Sequence, residues 1–129
     1  MALKSEWSAK QLLPAVYGIF AVSATFRATY TLVRRYDEAP FAYWLSLLAA
    51  ITYIFATVAL ASKKQSWRKA AKPILFFELF GVLTVGTLSL TAPELFQHPS
   101  VWSGFGLGYG FIPLALPILG LIAIFRGRV

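Results

Sequence analysis

The chain has 129 residues, of which 58% are hydrophobic and 13% charged. A soluble domain is roughly half apolar and about a quarter charged. Positions 39–62 and 99–125 hold no Asp, Glu, Lys or Arg, positions 73–93 hold only Glu78, and positions 11–33 hold only Arg27. Each stretch is long enough to cross a bilayer. This pattern excludes a secreted mini-protein, a disordered tail, a nucleic-acid module and a sizeable soluble catalytic domain. A single integral membrane domain over 1–129 is the expectation.

The first span is predicted over 12–33, with Pro14 in the opening turn, where its missing N–H costs least. Its apolar stretch ends in Arg27, Arg34 and Arg35 with no small-residue cleavage site, so it reads as a span and not as a cleaved signal. The second is predicted over 40–61, behind the acidic pair Asp37 and Glu38, which suits a helix amino terminus. The third is predicted over 73–90, from Pro73 to the two prolines of TAPELFQHPS. Glu78 then lies about 8 Å inside its cytoplasmic start. The fourth is predicted over 105–125. Short links between the spans imply an all-α, antiparallel four-helix membrane bundle.

Orientation follows from Lys and Arg alone. Lys4, Lys10, Lys63, Lys64, Arg68, Lys69, Lys72, Arg126 and Arg128 fall on one side, nine against Arg34 and Arg35 on the other. Both termini are therefore expected in the cytoplasm of a multi-pass cell-membrane protein. The net charge of +7 is read as orientation and attraction to anionic lipid, not as a nucleic-acid surface. Trp7, Trp67 and Trp102 fall just outside the predicted spans, with Tyr36, Tyr43 and Trp44 around the start of the second. All six read as interface anchors.

Three sets of residues could form a site. In the last span, Gly106, Gly110, Pro113, Pro117 and Gly120 follow steps of four and three, which on a helix place them on one face for close packing. The two prolines would then free the carbonyls of Tyr109 and Pro113. In the second span, Tyr43, Ser46, Ala50, Tyr53 and Thr57 share a polar and small face, while Trp44, Leu48, Ile51, Phe55 and Val58 face lipid or bulky neighbours. The third set is the pair of intramembrane charges, Glu78 and Arg27, which default to function because charge is expensive in hydrocarbon. Counting helical rise separates them by roughly 14 Å along the membrane normal, so they are not expected to pair. Arg27 should snorkel toward outer lipid phosphates or toward Asp37, Glu38 or Glu94, and Glu78 should meet the cytoplasmic water boundary, one of the basic residues between Lys63 and Lys72, or a transport pathway.

No nucleophile–base pair, metal set or phosphate loop accompanies these residues. There is no Cys, and the single His98 sits beside Pro99 in the outer link, away from any helix that would present a haem ligand. No cofactor and no metal are expected.

The segments EAPFAYWLSLLAAITYIFATVALA, FELFGVLTVGTLSL and WSGFGLGYGFIPLALPILGL together resemble those of uncharacterised small four-helix integral membrane proteins of actinobacteria, over about 27–121. That resemblance implies the fold and brings no activity with it. The chain departs from the small multidrug-resistance family, whose characteristic glutamate lies in the first span, because 12–33 contains no acid. The expectation is a membrane scaffold or accessory subunit with a membrane-protein partner. The alternative is a homo-oligomeric small-solute or proton-coupled transporter using Glu78, Arg27 and the polar face of the second span.

Overall fold

The computed structural model describes residues 9–34, 37, 40–96 and 102–127. Lys4, Trp7, Arg35, Tyr36, Glu38, His98 and Arg128, named above, lie outside the described residues. Among the described residues four α-helices follow in order: α1 (Ala9–Arg34), α2 (Pro40–Ala61), α3 (Gln65–Thr91) and α4 (Ile112–Phe125). Short 3-10 turns over Pro93–Phe96, Ser103–Phe105 and Leu107–Tyr109 lie between α3 and α4. Among the described residues there is no strand. Helices α1, α2 and α3 are long and apolar enough to cross a membrane, and α4 is a shorter apolar helix.

Small side chains bring the helices together. Ala21 and Ala28 of α1 and Ala42, Ala49, Ala50, Ala56 and Ala59 of α2 are buried. Between apolar helices in lipid there is little hydrophobic drive to associate, so close backbone approach and van der Waals packing supply the attraction. Large apolar residues such as Ile19, Phe26, Phe80 and Leu119 stay on the outside, as lipid-facing residues would.

Two predicted boundaries are corrected. Helix α3 starts at Gln65, eight residues before the expected 73, and runs through Pro73. The basic residues Arg68, Lys69 and Lys72 are therefore helical, and Trp67 stacks on Phe55 with ring centroids 6.2 Å apart. Charge ends an apolar stretch but does not end a helix, which is why the reading from composition cut it short.

The second correction concerns 105–111. Helix α4 starts at Ile112, and Gly104, Phe105, Gly106, Gly110 and Phe111 all have positive φ. Left-handed backbone costs roughly 1–2 kcal/mol at a residue with a Cβ and far less at glycine, so the alternating glycines favour turns over a helix here. The turns close on themselves: Tyr109 and Phe111 both donate to the Gly106 carbonyl, at 2.9 and 3.0 Å, and Gly104 N–H donates to Ser89 Oγ at 2.8 Å. Backbone groups that have left the helix pattern are satisfied in this way within the turns and against α3. Gly106 and Gly110 accordingly do not share a helical face with Pro113, Pro117 and Gly120. Pro113 falls in the first turn of α4, where no amide was needed, so only Pro117 removes a donor inside the helix, at the Pro113 carbonyl.

Candidate functional site

Glu78 is the middle residue of α3, thirteen from Gln65 and thirteen from Thr91, and it has no exposed surface. The carboxyl is thus turned into the bundle, in place of the water boundary or the basic residues of positions 63–72 expected for it. Tyr17 of α1 donates its hydroxyl to Glu78 Oε1 at 2.6 Å, a bond that joins α1 to α3 across 61 positions. Glu78 Oε2 is buried without a hydrogen-bond partner among the described residues. A carboxyl oxygen left so in an apolar interior is costly, and such groups in native proteins call for a structural or functional explanation.

A second polar contact lies next to the first. Trp102, from the turn region before α4, donates its indole N–H to the Tyr53 hydroxyl at 3.0 Å. Trp102 is 1% exposed, so the interface-anchor reading is corrected for this residue. Its ring fits over Gly81, one turn of α3 beyond Glu78, where an added Cβ would stand 2.6 Å from the six-membered ring. Phe105 occupies the matching place over Gly86. The glycines of α3 thus act as sockets for two aromatic rings from the α3–α4 connection.

Tyr17 and Tyr53 face each other at 6.1 Å between ring centroids, and Phe20 stacks on Tyr53 at 5.7 Å. Tyr109 meets the edge of Phe20 at 6.0 Å, and Arg27 donates to the Tyr109 hydroxyl. An aromatic and polar chain therefore runs from Glu78 through Tyr17, Tyr53 and Phe20 to Tyr109 and Arg27, with Trp102 as a branch. Every helix except α4 contributes, and the turn region before α4 supplies Trp102 and Tyr109. Glu78 and Arg27 bond to different tyrosines. Arg27 reaches Tyr109, a partner not expected for it.

The sequence-predicted residues fall into groups. Tyr43, Ser46, Ala50 and Tyr53 are buried and Thr57 is half-buried, while Trp44, Leu48, Ile51, Phe55 and Val58 on the other faces are exposed. Of the polar face, Tyr53 joins the chain around Glu78. Thr57 returns its hydroxyl to the Tyr53 carbonyl of its own helix at 2.7 Å, and Thr52 does the same toward Leu48. The glycine and proline set sits apart: Gly106 lies against Pro113, and Gly120 of α4 against Leu75 of α3.

Tyr17, Trp102 and Tyr109 were not among the candidate site residues read from the sequence. For Tyr17 a signal exists, since Leu13, Tyr17, Ala21, Ala28 and Thr31 recur at helical steps as the buried face of α1, with one phenol among small residues. Trp102 and Tyr109 carry no such signal, because their positions depend on the turns that fold them back.

Chemically, the site offers one carboxyl, two phenols and an indole in a dry core. It can hold or relay a proton. It contains no nucleophile with an adjacent base, and no group of three His, Cys, Asp or Glu side chains suited to a metal occurs among the described residues. No protein family model, curated protein or solved structure matches this chain.

Proposed function

We propose that this chain is a multi-pass protein of the cell membrane with four antiparallel passes and both termini in the cytoplasm, kin to the small actinobacterial four-helix proteins it resembles, and that it serves as a scaffold or accessory subunit. The nine-to-two bias in Lys and Arg supports the orientation. Support for a fourth pass comes from depth. Gly104 meets Ser89, and the Lys72 ammonium lies over the Phe125 ring at 4.5 Å. Residues 104–125 therefore run beside the seventeen helical steps between positions 72 and 89, about 26 Å. Helix α4 alone has 14 residues, or about 21 Å, so the turn region completes the pass.

The observation that carries the accessory reading is the Tyr17–Glu78 bond at 2.6 Å around a carboxyl with no exposed surface. Polar groups at the bundle centre are used to join helices, which is what a rigid, partner-presenting bundle needs. A second reading, a proton-coupled transporter that acts as a homo-oligomer, draws on the unpartnered Glu78 Oε2. Gain or loss of one proton there changes the charge inside the bundle and would bias two packings of it.

Mass spectrometry of detergent-solubilised native complexes separates the two. A fixed heteromeric partner is expected on the accessory reading. A homo-oligomer whose solute uptake follows the proton gradient and is lost in Glu78→Gln would replace it with the transporter. For topology, reporters fused after Lys64 and at the carboxyl terminus should read cytoplasmic and one after Thr91 external; an external signal after Lys64 would overturn the orientation.

A further inference from the structure

A cavity of about 580 Å³ opens where the basic link joins α2 to α3, lined by Gln11 and Pro14 of α1, Leu60 and Ala61 of α2, Lys63 of the link and Arg68 of α3. We propose that this cavity is a binding site for an anionic phospholipid, with Lys63 and Arg68 holding the headgroup phosphate and Pro14 and Leu60 bordering the start of an acyl chain. The inference rests on the membrane reading and is independent of the choice between accessory subunit and transporter.

The lining is amphiphilic in the way such a ligand is. The lining combines the cationic Lys63 and Arg68 with the apolar Pro14, Leu60 and Ala61, and the cavity lies at the end of α2 and the start of α3. Arg68 is half-buried, and one guanidinium nitrogen donates to the Ser62 carbonyl at 3.3 Å. That contact holds the planar fork at the cavity wall. A guanidinium has five N–H donors and binds phosphate through two at once. Behind Arg68 and Leu60 lies a smaller cavity of about 50 Å³ lined by Ala59, Ala71 and Ile124, so apolar surface continues past the charged wall.

The surrounding charge calls for an anion. Lys63, Lys64, Arg68, Lys69 and Lys72 fall within ten residues, the first turn of α3 has no acid, and Lys64 at its start offers no side-chain cap. Like charges therefore crowd the positive end of a helix dipole, an arrangement that is unfavourable until a negative group joins it. Free phosphate would satisfy the charge but not the apolar wall. The lipid satisfies both.

The test uses the full chain in nanodiscs of equal phosphatidylglycerol and phosphatidylcholine, with retained lipid identified by native mass spectrometry after release. Wild type should retain phosphatidylglycerol preferentially. Lys63→Gln and Arg68→Gln should each remove a charged hydrogen bond to the headgroup and lower that preference by about tenfold. Lys69→Gln removes the same charge from an exposed position outside the cavity lining and should change the preference by less than about twofold. Lys63 is exposed and non-helical, so its variant carries the test even if Arg68→Gln does not fold. An equal drop in Lys69→Gln would reduce the effect to general surface charge and overturn the site. Absence of any phosphatidylglycerol preference would overturn it too, as would inorganic phosphate that displaces the retained lipid and binds the lipid-free protein equally well.

Discussion

Replacing Gly81 with alanine adds one methyl group to the middle of α3 and tests the socket that holds Trp102. The new Cβ would stand 2.6, 2.9 and 3.1 Å from three atoms of the six-membered ring, against an ordinary carbon separation of about 3.5–4.0 Å. The ring must retreat by about 1 Å. Trp102 has almost no exposed surface to retreat into, and movement stretches its 3.0 Å bond to Tyr53. Overpacking of this kind costs about 1–3 kcal/mol, and loss of an interhelical hydrogen bond in a membrane bundle adds about 0.6 kcal/mol. The better helix propensity of alanine offsets up to about 1 kcal/mol. The net expectation is a loss of about 1–3 kcal/mol, measured as a shift in the SDS-induced unfolding midpoint of the protein in mixed micelles. Trp102→Phe in the same background removes the colliding ring, so the double variant should lose less than the sum of the two single ones. A Gly81→Ala protein within about 0.5 kcal/mol of wild type, or strictly additive effects in the pair, would refute the socket.

Three further outcomes follow from the same contacts. A double-mutant cycle of Tyr17→Phe and Glu78→Gln should give a coupling of about 1 kcal/mol in folding free energy, and additivity would remove the Tyr17–Glu78 bond as a link between α1 and α3. Gly106→Ala should reduce folded yield more than Gly110→Ala: both have positive φ, but a Cβ at Gly106 would stand 2.8 Å from the Pro113 ring whereas the space at Gly110 is open. Equal yields in the two would contradict the turn geometry, and Gly110→Asn should be the mildest change there because Asn tolerates left-handed backbone. Tyr109→Phe should lower the thermal midpoint less than Arg27→Gln, since the remaining ring still lies 5.9 Å from the guanidinium carbon; a larger loss in Tyr109→Phe would place the whole interaction in the hydroxyl.

The helical class and the membrane-length spans were legible because composition alone controls them. A run of apolar residues either can or cannot satisfy a membrane's thickness, and α2 begins and ends at the positions where charge and proline mark its ends, Pro40 and Ala61. The inward face of α2 was legible for a related reason, since helical periodicity places Tyr43, Ser46, Ala50 and Tyr53 on one side whatever packs against them. What composition misjudged was the place where a helix continues through charge, at 65–72, and where it gives way within an apolar run, at 104–111. The first depends on local backbone bonding that charged residues do not disturb. The second depends on glycines at alternate positions, read as small packing residues when their use is positive φ.

Tertiary structure alone decided the site. Glu78 could be found as the one acid in an apolar span, but its full burial depends on the packing around it, and its partner is 61 positions away on α1. The union of Tyr53 with Trp102 required the chain to turn back after α3 and seat an indole over Gly81. Periodicity describes one helix at a time, so it shows which side chains face inward. Which of them meet is settled by how helices approach, and here that approach is governed by two glycines of α3 and the turns before α4.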